Sequence, residues 1–160
     1  MPSIETILDD IIRREGDSSN DPNDHGGRTK FGISETSNPE AWADGHVTEA
    51  EAREIYTRKY VKGPGFDKIA DPLLQAQLVD FGVNSGPQLA IMKLQECVGA
   101  DVDGILGPQT LHLLEGIYSP GINNRLVSAR IKMIGRIVTK NPSQLKWLNG
   151  WINRALEFLR

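Results

Sequence analysis

The 160-residue chain holds a single cysteine, Cys97, so no intrachain disulfide can form. That residue lies in the apolar-patterned run LAIMKLQECV, where a thiol acts as buried filler rather than as a nucleophile. The three histidines, His25, His46 and His112, are scattered, with no H-x-x-x-H pair and no Cys–His cluster. Metal catalysis therefore has no support, His25 reads as a solvated turn residue, and no metal or cofactor is expected. No G-x-S-x-G elbow occurs, which argues against a serine hydrolase. No apolar run approaches the length needed to cross a bilayer. The opening segment MPSIETILDDIIRREG lacks a basic stretch, an apolar run and a small-residue cleavage site in succession. It is not a secretory leader, so the protein is expected to stay in the cytosol unless another component exports it. Low-complexity tracts and solenoid-length repeats are also absent.

What remains is an ordinary globular composition, 39% apolar and 24% charged. This length suits one domain or two small lobes sharing a core, with about two thirds of the unfolded surface buried. The net charge of -3 is unevenly spread. Residues 1–60 carry -6 and residues 61–124 carry -4, whereas residues 125–160 hold eight bases against one acid, Glu157. Such a basic end can meet an anionic polymer or surface, or lie against the acidic part of its own molecule. Overall acidity argues against a nucleic-acid binder.

Helical periodicity dominates. Ile4, Ile7, Leu8, Ile11 and Ile12 share one face of a first helix, capped by Ser3 and stopped at Gly16, which leaves Glu15 on its last turn. Thr48 and Glu51 form a capping box for TEAEAREIYTRKYV. Asp71 and Pro72 begin a helix through DPLLQAQLVDFGVNSG, and GPQLAIMKLQECVG forms another that ends at Gly99. The connector ADVDGILGPQT, with Ile105 as its expected core anchor, leads into a short helix. Two long amphipathic helices follow. The first runs over about 122–139, with Leu126, Ala129, Met133 and Ile137 on one side and Arg125, Lys132, Arg136 and Lys140 on a solvated face. The second starts at Asn141-Pro142 and carries Leu148, Trp151, Ile152, Ala155 and Leu159. The expected fold is mainly α, with a small β-hairpin near residues 20–34, an N-terminal lobe over 1–88 and a helical lobe over 89–160.

The stretch REGDSSNDPNDHGGRTKFGIS, residues 14–34, gathers Glu15, Asp17, Asp21 and Asp24 among turn residues. Asp, Asn, Gly and Pro make ordinary turns, and that reading stays open. A calcium loop fails on spacing, because no glutamate closes a twelve-residue loop opened at Asp17 or Asp21. Glycosidic hydrolysis supplies another reading. It needs one carboxylic acid to protonate the leaving oxygen and a second group to aim a water or stabilise the cation. Glu15 at a helix end, facing a hairpin that presents Asp24 and Thr29 across a glycine-lined cleft, would meet that need.

The same run resembles the active-site motif of glycoside hydrolase family 108 muramidases, within the lysozyme-like superfamily. The matching residues are Glu15, Gly16, Asn20, Asp21, Pro22, Asp24, Gly26, Gly27, Thr29, Gly32 and Ile33. The resemblance implies a lysozyme-like helical fold, Glu15 as general acid, and Asp24 and Thr29 orienting the water, with Asp21 as a substrate contact. Asp17, Ser18 and Ser19 depart from the pattern, where glycine, tyrosine and a hydrophobic residue are usual. AEAREIYTRKYV is similar to that family's tyrosine helix, with Tyr56 and Tyr60 lining a sugar groove or facing the core. DFGVNSGPQLAIMKLQECVGADVDGILGPQTLHLL resembles the start of a type 3 peptidoglycan-binding region, which implies Asn84 as a substrate contact.

The expected activity is an endo-acting N-acetylmuramidase that cuts peptidoglycan glycan strands, as a monomeric phage endolysin held in the host cytoplasm until a holin or other export route releases it. A lytic transglycosylase and a non-catalytic wall-binding or secretion-assisting protein are the alternatives. The basic C-terminal helices are the candidate contact with an anionic cell surface.

Overall fold

A computed structural model describes residues 2–16, 27–117 and 119–160. Asp17, Asp21, Asp24 and His25 lie outside these described residues, as does the first part of the expected hairpin. The fold is mainly α and lysozyme-like: seven α-helices and one two-stranded antiparallel hairpin among the described residues.

Helix α1 (Ile4–Arg14) starts from a capping box, in which the Ser3 hydroxyl accepts from the Thr6 N–H and Thr6 Oγ1 accepts from the Ser3 N–H. Its Ile7, Leu8, Ile11 and Ile12 are buried. Strands β1 (Thr29–Lys30) and β2 (Ile33–Ser34) pair with Thr29 opposite Ser34 and Lys30 opposite Ile33. Helix α2 (Glu49–Thr57) begins with the Thr48–Glu51 capping box. It runs on as one π turn, Arg58–Lys62, where the sequence pattern predicts continued α-helix. There the Gly63 N–H donates to Arg58 O, and a Cβ on Gly63 would stand 2.8 Å from that oxygen. The glycine makes the wider turn sterically accessible.

Helix α3 (Pro72–Ser85) is the hub. The Asp71 carboxylate caps it by accepting from the Leu74 N–H, and nine consecutive-range residues, from Leu73 to Gly82 with Gln75 excepted, are buried. A helix apolar almost all round belongs in the middle of a protein. It packs on α1, on α4 (Pro87–Val98) and on α6 (Ser119–Lys140). One hydrophobic core runs from Ile7 through Phe66, Leu78 and Leu94 to Leu126 and Phe158.

Three sequence expectations change in the second half. Ile105 is 66% exposed, and Leu106 enters the core in its place. The cause is Gln95, whose amide accepts from Gly104 N–H and donates to Asp103 Oδ1, Ile105 O and Thr110 Oγ1, so it fixes the connector from inside. After α5 (Pro108–Glu115) and α6, Asn141-Pro142 opens a 3₁₀ segment (Pro142–Trp147) instead of a long helix, and Asn141 makes no side-chain cap bond. Helix α7 (Leu148–Leu156) follows. Past its end, tight turns from Ala155 and Leu156 rotate Phe158 into the core and leave Leu159 exposed.

Candidate active site

Glu15 is the C-cap of α1. Its N–H donates to Ile11 O at 2.9 Å, and its side chain projects to solvent from the end of the helix. The β1–β2 hairpin stands beside it. Phe31 and Gly32, the two turn residues, have φ of 51° and 74°, the twist that a two-residue hairpin favours. A Cβ on Gly32 would sit 3.3 Å from both Cβ and Cγ of Glu15 and well inside 3.0 Å of Tyr56 Oη. The bare Cα is what allows the turn, the Glu15 stem and the Tyr56 hydroxyl to meet at one point.

Tyr56, on α2, donates from Oη to Phe31 O at 2.9 Å, and its ring stacks on Tyr60 at 5.9 Å. Burial, then the Glu15 charge, then Tyr60 push its phenol up to about 12, so the hydroxyl remains a donor throughout the working range. Lys30 Nζ donates to Gly16 O at 2.6 Å and stands 4.8 Å from the centre of the Phe31 ring. This bond ties the hairpin to the residue that follows Glu15. At the base, Arg28 grips Glu35 with two bonds of 2.9 Å, donates to Gly45 O, and lies over the Trp42 ring. The indole N–H of Trp42 donates to Ile33 O at 3.2 Å. The bidentate Arg28 contact holds the Glu35 carboxyl below its usual range.

Of the residues singled out in the sequence, Glu15 and Tyr56 meet at the Gly32 turn, and Tyr60 stacks on Tyr56. Thr29 sits on β1, half-buried, and strand alternation sets it with Ser34 on the face opposite the buried Ile33. Asn84 lies elsewhere. It is exposed at the end of α3, its amide donating to Asp80 O at 2.7 Å, on the edge of a separate cavity that includes Arg130 and Arg154. The sequence reading missed two features. One is the packing role of Gly32, which its place before the Ile33 step could have suggested. The other is a buried cluster in which the Asp80 carboxylate meets both Arg130 and Arg154, partners 50 and 74 positions away that no local pattern links.

Residues 8–86 match the family model described as Glycosyl hydrolase 108. That segment is a glycosyl hydrolase family 108 segment. Residues 89–156 match a predicted peptidoglycan domain. The chain is thus a glycoside hydrolase with peptidoglycan as its partner. The structure of SagA from Brucella abortus is similar to it over 98% of this chain and 95% of that one, with a TM-score of 0.66 and 28% identity. No curated protein matches the chain. The family 108 segment contains every residue that meets at the Gly32 turn, and the step from one matched segment to the next falls where α3 gives way to α4, at Gly86, whose φ is 90°.

Proposed function

We propose that the chain is an endo-N-acetylmuramidase that cleaves the β-1,4 bond between N-acetylmuramic acid and N-acetylglucosamine. Glu15 is the general acid, delivering its proton to the leaving oxygen. Asp24 and Thr29 aim the attacking water, and Asp21, Tyr60 and Asn84 contact the glycan; Tyr56, expected as a further contact, is buried and holds the hairpin turn instead. The observation that carries this reading is the placement of Glu15. Its stem lies beside the Gly32 turn that Tyr56 also reaches, while the side chain is exposed. A positioned donor beside a groove is what oxocarbenium-like chemistry asks of the protein.

The same reading makes the enzyme a phage endolysin that waits in the host cytoplasm for a holin. The exposed bases of α6, with Trp147 exposed and Lys146 over its ring, supply the contact with an anionic cell surface.

The test is the release of reducing ends from purified sacculi by the parent and by Glu15→Gln. The variant should unfold at the parent temperature and lose about 10²–10⁴-fold in rate, the range that general-acid catalysis contributes. Near-parental rate in the variant would refute the assignment of the acid. Anhydro-muramyl ends in the parent digest would make the enzyme a lytic transglycosylase instead.

A further inference from the structure

A cavity of about 230 Å³ opens between the end of α3, α6 and α7. Met133, Ile137 and Trp151 give it apolar walls, Asn84 stands exposed at its edge, and Arg130 and Arg154 form its charged part. Both guanidiniums lean on one carboxylate. Arg130 Nη2 donates to Asp80 Oδ2 at 2.7 Å, and Arg154 Nε donates to Asp80 Oδ1 at 2.6 Å. The side chains of Asp80, Arg130 and Arg154 are 1%, 5% and 19% exposed.

Two cations against one anion leave an excess positive charge in a site that water barely reaches. A buried charge without a full set of partners is costly, and an anion supplied from outside removes that cost. Two further observations point the same way. Arg130 Nη1 is buried and has no hydrogen-bond partner; its guanidinium lies over the rings of Phe81 and Phe158, which stabilise the charge but accept no hydrogen bond of ordinary strength. Arg14, next to Glu15 in sequence, is close enough to feel the cluster: burial first, then the Arg154 charge, hold its guanidinium below the ordinary value, with Asp80 opposing. Helix α1, which ends at the candidate acid, packs on α3, the helix whose end borders the cavity.

The apolar walls argue against a small hydrated anion and for a carboxylate with an apolar body. A cavity of ~150 Å³ accepts a benzene-sized group, so this one has room for an amino-acid residue. We propose that the cavity is a subsite for the short peptide borne by the muramyl residues of peptidoglycan, receiving one of its carboxylates on Arg154 and Arg130 and a side chain or methyl group against Met133, Ile137 and Trp151. This assignment rests on the reading that the glycan is cut at Glu15, and it adds to that reading a preference for peptide-bearing strands.

The experiment compares two substrates, intact glycan strands and the same strands stripped of peptide by an amidase. The parent enzyme should show a kcat/KM ratio favouring the peptide-bearing strands by about tenfold or more, the worth of one charge-assisted hydrogen bond. Arg154→Gln leaves Asp80 with one cation and should bring the ratio near one, through KM rather than kcat. Ile137→Trp fills the cavity without altering charge and should do the same. A ratio near one in the parent, or a ratio unmoved in both folded variants, overturns the proposal. A separate titration of Glu15→Gln protein with the free peptide released by the amidase reads the subsite without turnover. Binding there that Ile137→Trp abolishes upholds the cavity even if the glycan proves to be cut by another group; no binding overturns it.

Discussion

Replacing Gly32 by alanine tests the joint between the hairpin and helix α1. At a φ of 74° an L-residue costs roughly 1 kcal/mol. The new methyl also meets Tyr56 Oη, and the phenol cannot swing away easily, because Tyr56 is 8% exposed and its ring stacks on Tyr60. Displacing it breaks the bond to Phe31 O, worth about 1 kcal/mol. The sum is about 2–3 kcal/mol, or roughly 5–10 °C in Tm for a chain of this size. Tyr56→Phe alone should cost about 1 kcal/mol, since it leaves the Phe31 carbonyl unpaired. It also deletes the atom that the methyl strikes. The double variant should therefore cost about 2 kcal/mol, less than its two parts added, with a coupling of about 1–2 kcal/mol. Urea unfolding of the four proteins measures the cycle. Clearing of a peptidoglycan suspension, measured well below each Tm, should fall further for Gly32→Ala than for Tyr56→Phe, because the methyl also presses on the Glu15 stem at 3.3 Å. Strict additivity, or a Gly32→Ala protein within about 0.5 kcal/mol of the parent, would refute the close-packed joint.

Two further outcomes follow from charged groups. Glu35 and Asp103 both sit below their ordinary values of 4.5 and 3.8, Glu35 through its bond to Arg28 and Asp103 through its bond to Gln95. Their stabilising effect is complete above those ordinary values and is lost as pH falls through the depressed ones, so a double Glu35→Gln, Asp103→Asn variant should show a flatter decline of Tm with acidification than the parent. Asp80→Asn should lower stability by about 3–5 kcal/mol in urea unfolding at neutral pH, because it strands the buried Arg130 and the half-buried Arg154; a loss under about 1 kcal/mol would contradict a buried charge centre.

Local rules made the helix starts legible. Ser3, the Thr48–Glu51 box and the Asp71–Pro72 pair all cap as their sequence signatures predict, and Gly99 ends α4 with a φ of 74°. Glu15 was legible for the same reason, since a helix stopped by Gly16 must expose the residue before it. Decisions taken by distant partners were not legible. Leu106 replaces Ile105 in the core because a side chain ten residues earlier, Gln95, holds the carbonyl of Ile105. Arg130 lies on the same helix as the solvated Arg125, Lys132 and Arg136, and periodicity alone gives no sign that it points inward to Asp80. Tyr56 could face groove or core by its spacing; the structure buries its ring and commits its hydroxyl to Phe31 O.

The uneven charge of the sequence finds part of its explanation in those inward arginines. Of the eight bases after position 124, Arg130 and Arg154 converge on Asp80, and Arg160 grips Asp71 with bonds of 2.8 and 3.2 Å. Both acids belong to α3 or its cap, within the segment that matches the hydrolase family, and all three bases lie beyond it. The C-terminal helices therefore set positive charge against the acids of the hub and also cover its apolar faces: Leu126 and Phe158 complete the core that Ile7 and Leu8 begin. A charge centre built from both matched segments cannot form until both are in place. This makes the last helices a structural requirement of the candidate active site, because α3 is the element against which α1, and with it Glu15, is packed.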